Sequence, residues 1–176
     1  EIPSFNLKHD FNYLVVSQMG PRKNMENTIR WWVEEFIDQD VGLVVKTAFK
    51  GNSNIDREFT FEYIKKLLAA YPDRKCTVNL LHGDLSESQM WGLYNHEKVK
   101  AFVNIAHGEG FGLPIFEAAQ AGLPVVTVPW GGQLDFLRHN GKSYFTEVDY
   151  DIQAIQPQAV WKGVLEEGTM WTYADQ

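Results

Sequence analysis

The sequence predicts an α/β protein of the Rossmann-like type, a parallel sheet with helices on both faces. Short β-branched or apolar runs alternate regularly with longer amphipathic ones along the chain. The strand runs are apolar throughout, rather than at every second residue, which is the pattern of strands covered on both sides by βαβ crossovers. The chain has 176 residues, of which 44% are hydrophobic and 14% aromatic. That is enough for one good core, so residues 1–176 are read as a single domain.

Each element has its own signal. The run "YLVVS" (Tyr13 to Ser17) reads as the first strand, followed by a turn at "QMGPRKN" and a helix from about Met25 to Ile37. Val41 to Thr47 is the second strand, and after the loop "FKGNSN" a helix runs from about Glu58 to Tyr71. "CTVNLLH" supplies the third strand, and "SESQMWGLY" a short helix whose Ser86 and Gln89 have capping-box spacing. "KAFVNIA" is the fourth strand, "PIFEAAQA" a helix ended by Gly122, and "PVVTVP" the fifth strand. From about Glu147 the periodicity fades, and the remainder is expected to be an irregular tail lying on the surface.

Composition excludes several partners. Sixteen Lys and Arg against 23 Asp and Glu leave a formal charge of -7, which argues against nucleic acid or an anionic membrane as the main partner. Any anion must therefore be held locally. A single cysteine, Cys76, excludes an internal disulfide and a multi-cysteine zinc site. It fits a reducing compartment, and the expected location is the cytoplasm. No apolar window approaches the length of a membrane span, and the first ten residues lack the pattern of a signal peptide. The start without methionine and the ending "TMWTYADQ" suggest a piece of a longer protein.

The segment "HGEGFGLPIFEA", His107 to Ala118, follows the fourth strand, where ligands of doubly wound sheets sit. Gly108, Gly110 and Gly112 allow a sharp turn and a close backbone approach, and Pro114 suits the first turn of a helix. The amides around Gly112, Leu113 and Ile115 would then point at one spot with the helix dipole behind them, which is a phosphate site. Glu117, read as lying in the first helical turn, can accept hydrogen bonds from adjacent hydroxyls such as those of ribose. Glu109 lies on the flexible side, nearer whatever is joined to the phosphate.

These residues fit other motifs poorly. A dinucleotide fingerprint needs a glycine where this chain has Leu113, and belongs after the first strand rather than the fourth. "GKS" at Gly141 to Ser143 mimics the end of a P-loop, but Phe136 stands where the upstream glycine is required. A hydrolase pair places its carboxylates on either side of a sugar, which two glutamates on one loop and its helix fit poorly. A plain glycine-rich turn with two solvated glutamates remains the bland alternative.

Glu109 and Glu117 in "EGFGLPIFE" resemble the signature of the retaining glycosyltransferases of family four, in the carboxyl-terminal domain of their two-domain B-type fold. "SQMGPRKN" is similar to that family's first phosphate loop, "VNLLHGDLSESQMWGLY" to its third strand and following helix, and "AGLPVVTVPWGGQLDFL" to the segment after the signature. The resemblance covers Tyr13 to about Phe145. It implies one half of a B-type glycosyltransferase, with a nucleotide-diphosphate sugar as donor substrate, a sugar or other hydroxyl as acceptor, and no cofactor or metal. The amino-terminal acceptor domain would lie outside this chain, and the chain alone would bind donor without turnover.

The resemblance also implies roles. Glu117 would hold the ribose hydroxyls and the amides of Gly112 and Leu113 the diphosphate. Glu109 and the backbone at Gly110 and Phe111 would contact the donor sugar near the reacting carbon, and Lys23 would offset charge on the leaving diphosphate. Where the family has an arginine earlier in that loop this chain has Gln18, so that either Arg22 compensates from a shifted position or the phosphates are held less strongly. The implied chemistry is front-side attack with retention, assisted by Lys23 and oriented amides where negative charge grows. A noncatalytic nucleotide-binding module and a sugar-nucleotide epimerase on the same fold are the alternatives.

Several residues read first as structural or surface positions. Lys46 and Lys50 lie on the ligand side but read first as solvated loop lysines, and His107 adjoins the signature with acceptor contact as one option. His9, His82, His96 and His139 have no metal-ligand spacing. Trp31, Trp32, Phe36 and Ile37 are expected on one helix face against the sheet. Gly131 and Gly132 read equally as a plain turn or as a close approach to the donor.

Overall fold

The computed structural model describes residues 6–176. Strands β1 (Asn12–Val16), β2 (Gly42–Lys46), β3 (Thr77–Leu81), β4 (Val99–Asn104) and β5 (Val125–Thr127) alternate with helices α1 (Met25–Glu35), α2 (Asn54–Leu68), α3 (Glu87–Tyr94) and α4 (Leu113–Gln120). A short helix α5 (Leu134–Leu137) then leads to the tight hairpin β6 (Arg138–His139) and β7 (Lys142–Ser143), and to β8 (Thr146–Glu147). The "GKS" run is the return of that hairpin, turned by Asn140 and Gly141 at φ 50° and 75°.

The main sheet has six strands in the order β3-β2-β1-β4-β5-β8, every pairing parallel. Alternate residues of each strand face opposite layers. Leu14, Val44 and Phe102 pack with Leu93, Tyr94, Ile115 and Ala118 of α3 and α4. On the other face Val15, Leu43 and Val45 pack with Met25, Ile29, Trp32 and Val33 of α1 and Ile64 of α2. Burying both faces is what the continuous apolar runs required.

Capping sets the helix boundaries. The expected box at α3 is present: the Gln89 amide donates to Ser86 Oγ at 3.3 Å and the Ser86 amide to Gln89 Oε1 at 2.9 Å. Helix α2 begins at Asn54, earlier than the apolar pattern indicated, because Ser53 caps it by accepting from the Asp56 amide. The two tryptophans of α1 part company. Trp32 packs with Tyr13 and Phe36, whereas Trp31 lies against Ile105, Val128 and Ala174.

The segment after Glu147 departs from the irregular tail expected. Tyr150–Ala154 (β9) and Met170–Ala174 (β10) form an antiparallel pair running from Met170 opposite Ala154 to Ala174 opposite Tyr150. The intervening residues 155–169 hold only a 3-10 turn and an isolated bridge from Trp161 to Leu165. So long a connection hides the partnership from any local reading. Among the described residues no helix is long and apolar enough to cross a membrane.

Candidate functional site

In an open parallel sheet the ligand crevice lies beyond the carboxyl ends of the strands, where the strand order reverses. Here that point falls between β1 and β4. The loops leaving these two strands, 17–24 and 105–112, meet there and are stitched together. The His107 amide donates to the Arg22 carbonyl at 2.9 Å, and the buried Asn24 side chain donates to the Ile105 carbonyl at 3.1 Å. The Arg22 guanidinium donates to the Gly108 carbonyl.

This stitching brings three predicted site residues into contact. Lys23 Nζ lies 2.6 and 2.8 Å from the two carboxylate oxygens of Glu109, and Arg22 Nη1 lies 3.5 Å from Oε2. The Glu109 side chain is only 8% exposed and that of Lys23 19%, against 41% for Arg22. Burying a carboxylate is costly without such partners. Asn104, at the end of β4, adds a longer contact to Glu109 Oε1 at 3.4 Å and caps its own loop by accepting from the Ala106 amide. Asn104 escaped sequence reasoning, although a polar residue closing the apolar run "AFVNIA" was its signal. Gln18, by contrast, is exposed beyond the end of β1 and makes no bond to Glu109.

Helix α4 starts at Leu113 behind Gly112, whose φ of 80° is left-handed and suits glycine. The first hydrogen bond to the cap runs from the Phe116 amide to the Gly112 carbonyl, so the amides of Gly112, Leu113 and Ile115 have no helical acceptor. Leu113 and Phe111 are exposed there. Glu117 is the fifth residue of α4, just past the first turn in which it was expected, since Leu113 rather than Pro114 opens the helix. Its Oε2 accepts from the Tyr94 hydroxyl at 2.9 Å, which together with burial holds the Tyr94 phenol well above its ordinary range. Glu117 lines a cavity of about 520 Å³ between α3 and α4 with Leu85, Trp91 and Gln120. The two glutamates thus serve different places: Glu109 faces the β1 loop, and Glu117 the α3–α4 cleft.

Gly131 and Gly132 prove to be a close approach, though to protein backbone. A Cβ on Gly132 would stand 1.8 Å from the Gly110 carbonyl oxygen, and one on Gly131 2.7 Å from that of Glu109. The loop after β5 therefore packs directly under the signature loop. From the other side comes β10, a contact no local motif announced. The Thr172 amide and hydroxyl both donate to the His107 carbonyl at 2.9 Å, and His107 Nδ1 in turn donates to the Thr172 carbonyl. The His107 ring stacks on Trp171 with centroids 4.5 Å apart. Burial pushes the pKa of His107 down, partly offset by its bond to Thr172.

His82 and Lys46 lie on the other side of the sheet, after β3 and at the end of β2. His82 Nε2 bonds Asp56 Oδ2 at 2.8 Å, and Asp56 also accepts from the Phe49 and Lys50 amides, so this pair fixes the loop after β2. Lys46 is half-buried at the carboxyl end of β2, and burial lowers its pKa against an opposing pull from Asp84. Among the described residues no three His, Cys, Asp or Glu side chains converge as a metal site would require.

A doubly wound α/β sheet with a cation–carboxylate cluster and free helix amides at its switch point is the class this molecule defines. The family model described as "Glycosyl transferases group 1" matches residues 4–158, and the chain belongs to that family. Among solved structures it is similar to a glycosyltransferase from Rickettsia africae ESF-5, with 17% identity and TM-score 0.60 over 82% of this chain and 34% of that one. It is similar also to the C-terminal domain of a glycosyl transferase group 1 family protein from Francisella tularensis, with 18% identity and TM-score 0.51 over 79% of this chain and 68% of that one. A sucrose-phosphate synthase from Thermosynechococcus elongatus is 22% identical with TM-score 0.56, over 73% of this chain and 30% of that one. These likenesses carry the fold, and the chain spans about a third of the length of the Rickettsia protein. Among curated proteins none matches.

Proposed function

We propose that this chain is the donor-binding unit of a retaining glycosyltransferase, holding a nucleoside-diphosphate sugar for transfer to an acceptor hydroxyl. The observation that carries the reading is the contact of Lys23 and Arg22 with Glu109 at the switch point, on the same loop that leads into the free amides of Gly112, Leu113 and Ile115. A diphosphate needs cations and oriented amides to hold its growing charge on cleavage, and Lys23, Arg22 and the amides at the start of α4 are the groups that support this reading. Arg22, held on the Gly108 carbonyl, takes the place of the arginine missing at Gln18.

In this reading the diphosphate takes Lys23 from Glu109, and the released carboxylate receives hydroxyls of the donor sugar. Glu117, oriented by Tyr94, receives the ribose hydroxyls. The acceptor oxygen attacks the anomeric carbon on the face the phosphate leaves. The bond from that carbon to the phosphate oxygen breaks, its electron pair stays with the diphosphate, and the acceptor proton passes to that oxygen. Retention follows.

Thermal unfolding of the chain with UDP, GDP or ADP tests the binding claim. A nucleotide at 100 times its dissociation constant adds ~2.7 kcal/mol, or roughly 5 to 10 °C at this size. One of the three is expected to give that shift, and Glu117→Ala to shrink it. No shift at millimolar nucleotide, or an equal shift in the variant, counts against the reading.

A further inference from the structure

The sheet ends at β3, and that end is open. Strand order places β3 against β2, with no strand beyond it among the described residues. In the parallel ladder Thr77, Asn79 and Leu81 turn their backbone groups toward β2: the Thr77 amide donates to the Val41 carbonyl, and the Leu81 carbonyl accepts from the Thr47 amide. The N–H and C=O groups of Val78 and Leu80 therefore point outward. None of the five residues of β3 is fully buried, although four of the five in β2 are. The run "TVNLL" has the composition of a covered strand without the cover, which is the condition under which a sheet edge pairs with another chain.

Two cavities, of about 720 and 420 Å³, flank the strand and share Phe61, Val78 and Leu80 in their linings. Over the strand stands α2, whose Phe61 is 54% exposed and whose Ile64 and Leu68 line the same groove. A segment added to β3 would bond the outward backbone groups and set every second side chain under α2, as open sheet edges take extended peptides. None of the residues assigned above to the donor lines either cavity.

Charge decides between occupants. Arg57 lines the groove with His82 at the carboxyl end of β3, and Arg74 lines it three positions before the strand begins. Arg74 Nη1 donates to the Leu68 and Tyr71 carbonyls at 3.3 and 2.8 Å, which fixes this cation at the rim. Arg57 makes no ion pair among the described residues. Lys65 adds a third cation, shared with Glu62 at 3.0 Å, and Glu58 is the one described acidic residue in the two linings. A second copy of this chain, paired edge to edge, would bring these cations against their own kind, which opposes a dimer through β3. An extended segment with acidic ends meets a cation at each.

We propose that the β3 edge, roofed by α2, binds an extended acidic segment of a partner protein as an added strand, with apolar side chains under Phe61 and Leu68 and carboxylates at Arg57 and Arg74.

Three capped synthetic peptides test this: ETVTVTE, KTVTVTK with the end charges reversed, and ETVPVTE, whose proline interrupts strand pairing. Each is titrated into the parent chain and into Arg57→Glu, Arg57→Lys and Phe61→Ala, with amide resonances as the binding signal and sedimentation velocity for the oligomeric state. ETVTVTE is expected to shift the Val78 and Leu80 amides saturably and to slow their hydrogen exchange. Changing to KTVTVTK or ETVPVTE, or to Arg57→Glu or Phe61→Ala, is expected to weaken binding about fivefold or more. Arg57→Lys is expected to keep it, and the melting temperatures of the variants to stay near that of the parent. Equal affinity for ETVTVTE and KTVTVTK, equal affinity for ETVPVTE, an unaltered Arg57→Glu titration, or no saturable shift at millimolar peptide overturns the proposal. So does a parent chain that dimerises and loses its dimer in Phe61→Ala, which would give the groove to a second copy.

Discussion

The contact between Lys23 and Glu109 makes one carboxylate both a partner and a competitor. With Glu109 8% exposed and 2.6 Å from Lys23, the ammonium is already neutralised before a diphosphate arrives. Glu109→Gln removes the competing charge and keeps the shape. It is expected to bind nucleoside diphosphate about threefold to tenfold more tightly, ~1 kcal/mol, while sugar transfer by an active form falls by at least about tenfold. Titration calorimetry beside donor turnover measures the two, and an unchanged nucleotide affinity would mean the pair is not formed in solution. Gly132 invites an opposite test, because the Gly110 carbonyl fills the place of its Cβ. Gly132→Ala must push the signature loop aside at a cost of about 1–3 kcal/mol, seen as a lower melting temperature together with lost nucleotide stabilisation. An unperturbed variant would show that the two loops do not touch. Glu109, Lys23 and the glycines of the signature were legible as residue types in a spacing. Their pairing was not, since it joins positions 86 apart whose proximity depends on strand order.

At the scale of elements, legibility followed the range of the determining interactions. Strands β1 to β5 and helices α1 to α4 could be read because alternation and capping act within a few residues. The hairpin β9–β10 could not, because Met170 to Ala174 take their partners across the loop 155–169. Yet this hairpin positions the signature through His107, and that link is sensitive to acid. The folded pKa of His107 is lowered by burial, so its contribution to stability is present above the unfolded value, about 6.5, and is lost as pH falls through the lower folded value. Acid protonates the unfolded chain first and favours it. Stability measured by denaturant titration is therefore expected to decline below about pH 6.5, and a His107→Gln variant to lose that part of the decline. A parent and variant that fall in parallel between pH 7 and 5 would assign the dependence elsewhere. The pair of Asp56 and His82 acts in a lower window, because the His82 bond depresses the Asp56 carboxyl and its contribution disappears only below the ordinary carboxylate range.

The whole molecule couples these parts through a sheet shared by two layers. Leu14 and Val15, neighbours in β1, belong to opposite layers, so neither layer can be lost without breaking the strands that carry the other. The hairpin is different. Its own cluster consists of Ile155, Ala159 and Trp171 with Leu165 and Tyr173, and it touches the rest of the molecule through His107, through Ala174 and Tyr150 beside Ile105 and Val128, and through residues 157–159 against 21–23. Opening it exposes little of either main layer. Hydrogen exchange should therefore show two levels: amides of β1, β2 and β4 exchanging only by global unfolding, and those of β9 and β10 by a cheaper local opening. Phe102→Ala separates the two, since Phe102 is fully buried in the α3–α4 layer and its truncation costs about 3–5 kcal/mol. The variant is expected to lower protection of the central strands by that amount while leaving hairpin exchange unchanged, until the global level falls to meet it. A hairpin that loses protection in step with the central strands of the Phe102 variant would instead belong to the same cooperative unit as the sheet.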